Sequence, residues 1–275
     1  RTFEWRLQTK GELTPAGDKT YNVTNGDANA LAQILSPAEA EWSVTTNKIG
    51  NILRARLSDQ KNNKYMVLLW PNAANLDAIK ENIDTEHAVG VKVELSGNNE
   101  YTLFQKTDNQ TATAGSIQFN ANTLILLEDS EQSITEASLV NGVKLMHHSI
   151  NYFSSNLRIN FGIENISSDK STILYSAGPS SGTGNSLMAE VTLGGLNENQ
   201  TYYLIKEGEK AGVKMETNAQ GETSVSLDIS KSFKYIASID SVLAEPLGFN
   251  ENKNSFDKDV SFFPNPSTGL LNIQM

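Results

Sequence analysis

Leu157-Arg158-Ile159-Asn160-Phe161-Gly162-Ile163-Glu164 is the stretch on which the fold class turns. Leu157, Ile159, Phe161 and Ile163 fall on one side of an extended chain, and Arg158, Asn160 and Glu164 fall on the other. A period of two with apolar residues on one side describes a strand with one buried face. The same pattern recurs outward from this stretch in both directions. Leu187, Ala189, Val191 and Leu193 alternate with Met188, Glu190 and Thr192. Val89, Val91, Val93 and Leu95 alternate with Lys92 and Glu94, and Ser96-Gly97-Asn98-Asn99 then supplies a turn before Tyr101. Phe3, Trp5 and Leu7 alternate with Glu4, Arg6 and Gln8, while Leu53, Ala55 and Leu57 face away from Arg54 and Arg56. Tyr65 to Trp70 is apolar on both sides, as in a strand held between two layers.

Many short strands separated by turn residues predict an all-β chain. The expected architecture is two consecutive antiparallel β-sandwich units, 1–128 and 129–240. A linker over 241–258 and a short tail over 259–275 follow. One helix is expected, because Leu76, Ile79 and Ile83 follow Pro71 at spacings of three and four.

Composition removes several function classes. The chain has 275 residues, no cysteine, three histidines and a formal charge of −10. Zero cysteine excludes a disulfide scaffold, a thiolate metal site and a cysteine nucleophile. The acidic balance argues against nucleic-acid binding, which needs cations to meet phosphate. No apolar run has the length of a membrane span. The chain opens at Arg1 with neither Met nor a signal peptide, so it is expected to be part of a longer protein.

The candidate site residues are few. Lys48, Arg54, Arg56, Lys61 and Lys64 form a basic ribbon opposed only by Asp59, suited to sulfate or carboxylate groups of an anionic glycan. A solvated hairpin is the plainer alternative for the same residues. Trp70, at a strand end before Pro71, is the candidate platform for a sugar ring, because a pyranose stacks its C–H face on an aromatic face. Trp5 and Trp42 are expected in the core. His147 and His148 are adjacent, and on a strand they would point to opposite faces, away from a shared metal. Gly178 to Ser186 lacks the Gly-Lys-Ser/Thr ending of a phosphate cradle. Asn250 to Asp259 lacks the Gly and Glu of a calcium loop. No metal site or cofactor is assigned, and calcium elsewhere in the loops, for example near Asp27 or Asp108, stays open. No catalytic residue is assigned.

The tail stands apart. Phe263-Pro264-Asn265-Pro266 is followed by Ser267-Thr268-Gly269 and then Leu270-Leu271-Asn272-Ile273. The two prolines are expected to make a rigid turn at Asn265, and Leu270 to begin a strand. The aromatic residue, Pro-Asn-Pro, the small-residue turn with Gly269 and the strand after it resemble the opening of the C-terminal sorting domain of the type IX secretion system of Gram-negative bacteria. The resemblance implies a secreted or outer-membrane-surface protein that meets the secretion machinery through Phe263, Pro264, Asn265, Pro266 and Gly269. That domain continues for several strands in the family, so this tail is expected to be truncated.

The body carries a second resemblance. Phe3-Glu4-Trp5-Arg6-Leu7, Tyr65 to Pro71, His87 to Leu95, Ala137 to Val143, Val191 to Leu196 and Tyr202-Tyr203-Leu204 are, in that order, similar to the β-sheet part of heparinase II/III-type polysaccharide lyases. Such enzymes often have Trp-Leu-Leu-His where this chain has Trp5-Arg6-Leu7-Gln8. The resemblance implies a non-catalytic C-terminal β-sandwich region that supports an upstream catalytic domain acting on a uronate-containing polysaccharide. The family's acid–base residues lie on a helical toroid and on early sandwich loops. This chain has no toroid, so none of those residues is carried over. A stand-alone carbohydrate-binding module and a surface adhesin or scaffold are the alternatives.

Overall fold

The computed structural model describes residues 3–17, 19–36, 40–57, 66–71, 79–95, 97–107, 109–164, 171–177, 187–241, 261–265 and 270–274. Among these there is no helix, and every sheet is antiparallel, consistent with a β-sandwich arrangement. The chain divides into two compact units, one of residues 1–115 with 123–133 and one of residues 116–122 with 134–275.

The first unit begins with β1 (Phe3–Thr9), β2 (Glu12–Gly17), β3 (Thr20–Asn25), β4 (Ala28–Ser36), β5 (Glu41–Asn47), β6 (Gly50–Leu57) and β7 (Met66–Pro71). They form two sheets, ordered β1-β6-β5 and β2-β3-β4-β7. Register puts Trp5, Ala55 and Trp42 on one row of the three-stranded sheet. That row packs on Ile34 of β4 and on Ala40. The Trp5 and Trp42 rings meet edge-on at 6.1 Å, and Tyr21 of β3 lies 5.5 Å from Trp42. Both tryptophans are half-buried at this packed face, so the expected core position is reached only in part.

The unit continues through β8 (Ile79–Asp84), β9 (Ala88–Leu95), β10 (Asn98–Gln105), β11 (Ala112–Ala114) and β13 (Thr123–Glu128), with β13-β10-β9-β8 paired in that order. The expected helix is overturned at Ile79 and Ile83, and Leu76 lies outside the described residues. Ile79–Asp84 is a strand hydrogen-bonded to β9, with Ile83 opposite Gly90, and Pro71 ends β7. A ready partner strand outweighs a weak three-and-four spacing, because pairing supplies the backbone bonds that a short helix would have made locally.

The second unit contains β12 (Ile117–Asn120), β14 (Ile134–His147), β15 (Ile150–Glu164), β16 (Ser171–Ala177), β17 (Met188–Leu193), β18 (Thr201–Lys206), β19 (Val213–Glu216), β20 (Thr223–Asp228) and β21 (Phe233–Ser238). β15 joins two arms of one branched sheet. Its first half pairs with β17, which carries β20 at its far edge. Its second half pairs with β16, which leads through β21 and β18 to β19. Between the halves the register with β14 slips at several bulges, and the strand turns a corner, as bulged strands do. The corner brings Phe153 and Phe161 of the same strand into a stack at 4.1 Å, both buried. It also accounts for Leu157. Ile159, Phe161 and Ile163 are buried as their alternation predicts, but Leu157 lies on the corner and is 36% exposed.

The corner is latched by polar groups. Asn141, with φ 52°, sits at a bulge of β14, and its N–H donates to Asn160 Oδ1 at 2.8 Å. Arg158 donates to the Asn141 carbonyl at 2.6 Å and to Asn120 Oδ1 at 2.7 Å. Nearby, Gly195 with φ 75° lies against the Tyr152 ring, where an added Cβ would come within 2.6 Å of a ring carbon.

At the tail, β22 (Ser261–Asn265) and β23 (Leu270–Gln274) pair with Asn265 opposite Leu270. Leu270 begins a strand as expected. Pro264 and Asn265 belong to β22 rather than to a turn, because a proline is tolerated in a two-stranded ribbon, where both strands are edges. The expected linker lies outside the described residues except Ser241, as do Pro266 and Gly269.

Candidate functional site

The strongest polar constellation is the other face of the β1-β6-β5 sheet. Alternation turns Glu4 and Arg6 of β1, and Arg54 and Arg56 of β6, away from the tryptophan row. Pairing then places Glu4, Arg56 and Glu41 on one cross-strand row and Arg6, Arg54 and Ser43 on the next. Arg6 Nε donates to Glu4 Oε1, and Arg56 Nη2 donates to Glu4 Oε2 at 3.2 Å. Arg54 Nε stands 3.5 Å from Glu4 Oε1 as an ion pair, with no hydrogen-bond partner for that nitrogen among the described residues. Only 10% of the Glu4 side chain is exposed, whereas Arg6 and Arg56 are more than half exposed.

The hydrogen bond from Arg6 is the main reason that the Glu4 carboxyl titrates below its usual range; the Arg56 bond and the Arg54 charge add to it. Glu4 is therefore ionised at neutral pH. Three guanidiniums share it, and Glu41 is the further carboxylate on their rows. The face stays cationic on a chain whose net charge is −10. Each guanidinium offers several planar donors, more than Glu4 alone can accept, and a planar pair of them can meet a carboxylate or a sulfate two at a time.

The basic ribbon expected from sequence is thus changed in membership. Arg54 and Arg56 do share a strand face. Among the described residues their carboxylate partner is Glu4, and Arg6 joins them from β1. Lys48 is exposed in the turn between β5 and β6, where Asn47 Oδ1 accepts from the N–H groups of Ile49 and Gly50. About four residues of strand, ~13 Å at ~3.3 Å each, separate that turn from Arg54. Lys61, Lys64 and Asp59 lie outside the described residues. Trp70 is in β7, opposite Leu31 of β4, and its side chain is outside the description.

His147 and His148 do not alternate on a strand. His147 ends β14 and is buried, while His148 and Ser149 form the two-residue turn into β15, with φ of 46° and 67°. Positive φ at both positions is the type I′ geometry that suits a twisted hairpin. It turns the two imidazoles toward each other, with centroids 4.2 Å apart. His148 is exposed. Gly178 to Ser186, Asn250 to Asp259 and Asp108 lie outside the described residues, and Asp27 is an exposed residue of the turn between β3 and β4.

A second polar group lies wholly within the other unit. Asp228 Oδ1 accepts from the Ser230 hydroxyl at 2.5 Å, and Asp228 Oδ2 accepts from Lys206 Nζ at 3.2 Å. The Ser230 bond, followed by the lysine, keeps the Asp228 carboxyl below its ordinary range. Lys206 Nζ also rests 3.6 Å from the centre of the Phe233 ring. Tyr235, buried beside them, is pushed up to about 12 by desolvation.

The chain matches none of the protein-family models and none of the curated proteins with which it was compared.

Proposed function

We propose that this chain is the non-catalytic β-sheet region of a secreted protein that acts on an anionic, uronate-containing polysaccharide, and that it supports an upstream catalytic domain. The observation that carries this reading is the face of Arg6, Arg54 and Arg56, where three guanidiniums share the half-buried carboxylate of Glu4. Spare planar donors on a flat strand face suit a polymer that presents carboxylates or sulfates at intervals. The order of aromatic residue, Pro-Asn-Pro and following strand in the tail supports export through the type IX route.

Affinity electrophoresis through gels containing alginate, heparin or a neutral glucan tests the reading. The chain is expected to be retarded by the acidic polymers and not by the glucan. Replacing Arg54 and Arg56 with Ala should remove most of that retardation. Equal mobility in every gel would remove the glycan role. An open reading frame with no helical, Tyr- or His-bearing region before Arg1 would remove the link to a lyase. Retention of the chain on its own, without such an upstream region, would favour an independent binding module.

A further inference from the structure

We infer that the groove between β19 and β20 receives an extended peptide strand in which aliphatic and basic residues alternate. The groove lies between two arms of the second unit's branched sheet, open to solvent, with a volume of about 640 Å³. β19 ends the arm that runs through β18, and β20 ends the one that runs through β17. Among the described residues, neither has a strand on its outer edge. An unpaired edge presents a row of N–H and C=O groups, and an incoming strand satisfies them by adding to the sheet.

The lining says what kind of strand fits. Val213 is 73% exposed, and Met188 is 45% exposed. Two large apolar side chains left in water on the lining form a surface that an apolar residue would cover. The aromatic residue of the lining, Tyr235, is only 4% exposed, so it offers no ring face on which a sugar would stack. That separates this groove from the arginine face.

Charge completes the assignment. Lys206 is held by Asp228, and Lys214 is held by Glu216 at 2.7 Å. Glu209 also lines the groove and has no ion-pair partner among the described residues. A lysine or arginine on the incoming strand, beside an aliphatic residue, supplies the missing charge. β20 has six residues, so a segment of about that length matches the edge.

The test uses the whole chain and a fluorescent hexapeptide of alternating valine and lysine, capped at both ends. Its controls are the same peptide with glutamate for lysine, the same peptide N-methylated on alternate residues, and a neutral cello-hexaose. The valine–lysine peptide is expected to bind, with amide shifts confined to residues of β19 and β20. The glutamate and N-methyl versions should each bind at least tenfold more weakly. Val213→Asn, on an exposed side chain that leaves the core untouched, should cost about tenfold, and Glu209→Gln severalfold. Equal binding of the N-methyl peptide would mean general attraction to an acidic chain and would overturn the proposal. So would unchanged affinity in Val213→Asn, shifts elsewhere in the chain, or shifts at this groove caused by the sugar.

Discussion

Arg158 and Arg54 show two uses of one side chain. Arg158, at the corner of β15, donates to a backbone carbonyl and to an amide oxygen, each within 2.7 Å. Arg54, on β6, shares one carboxylate with two other arginines and reaches it only at 3.5 Å. The first guanidinium is committed to architecture: it holds the bend that lets one strand join two arms of a sheet. The second belongs to a group with more donors than the described residues satisfy. An arginine with its bonds filled explains a fold, and a cluster with bonds to spare points outward, toward a ligand.

The largest expected effect tests what the corner protects. Phe153→Ala removes one ring of the buried stack with Phe161 and should destabilise the second unit by about 3–5 kcal/mol in denaturant unfolding. A loss near zero would mean that the corner does not close a core. Arg158→Ala comes next, at about 1.5–3 kcal/mol, because hydrogen bonds to a charged group are lost and the bulge carbonyl is left without its donor. The exposed neighbour Leu157→Ala should stay within about 0.5 kcal/mol. If these two variants behaved alike, the latch would not be one.

The arginine face should respond in the opposite sense. Arg54→Ala is expected to change stability by only about 0–1 kcal/mol, as for other ion pairs open to solvent, while lowering affinity for an acidic polysaccharide. Glu4→Gln is sharper still. It should cost no more than about 1 kcal/mol and strengthen polyanion binding, because the internal competitor for three guanidiniums is gone. Reduced binding in Glu4→Gln would show instead that the carboxylate is needed to hold the arginines in place.

Titration separates the regions in a quieter way. Glu4 and Asp228 both titrate below the ordinary carboxylate range, so the stability they contribute is present at neutral pH and is lost as pH falls through their folded-state values. Tyr101 and Tyr235 are each pushed up to about 12, chiefly by burial. Unfolded tyrosine ionises near 10, so their contribution is full below that pH and declines as pH rises toward 12. Phenolate absorbance should show Tyr101 and Tyr235, one in each unit, titrating late. Titration of all eight tyrosines together near 10 would contradict the burial assigned to these two.

Alternation was enough to read β1, β6, β9, β15 and β17. Ala189, Val191 and Leu193 are buried with Glu190 exposed between them, as a half-buried strand requires. It also showed that Arg54 and Arg56 share a face, since that is a property of one strand. It gave no sign that Glu4, 52 residues from Arg56, would be their partner, because register between distant strands is decided by pairing. The polar side of β1 already held Glu4 and Arg6, and that was the available signal. The corner escaped for a related reason. A bulge carries little mark in sequence, and Asn141-Gly142 reads as well for a turn as for a slip in register. The histidine pair escaped because a turn of His148 and Ser149 lacks the usual Asn-Gly signature. The groove between β19 and β20 was invisible because strand edges exist only once the sheet order is known.

The central claim is that the spare donors of Arg6, Arg54 and Arg56 meet a polyanion. Binding of a fluorescent oligouronate to the intact chain, followed as salt is raised, tests it most directly. The account predicts measurable affinity that falls steeply with salt, a loss of about tenfold or more in Arg54→Ala with Arg56→Ala, and no loss in Lys214→Ala on the other unit. Binding that ignores the double replacement, or that weakens equally when Lys214 is removed, would contradict it.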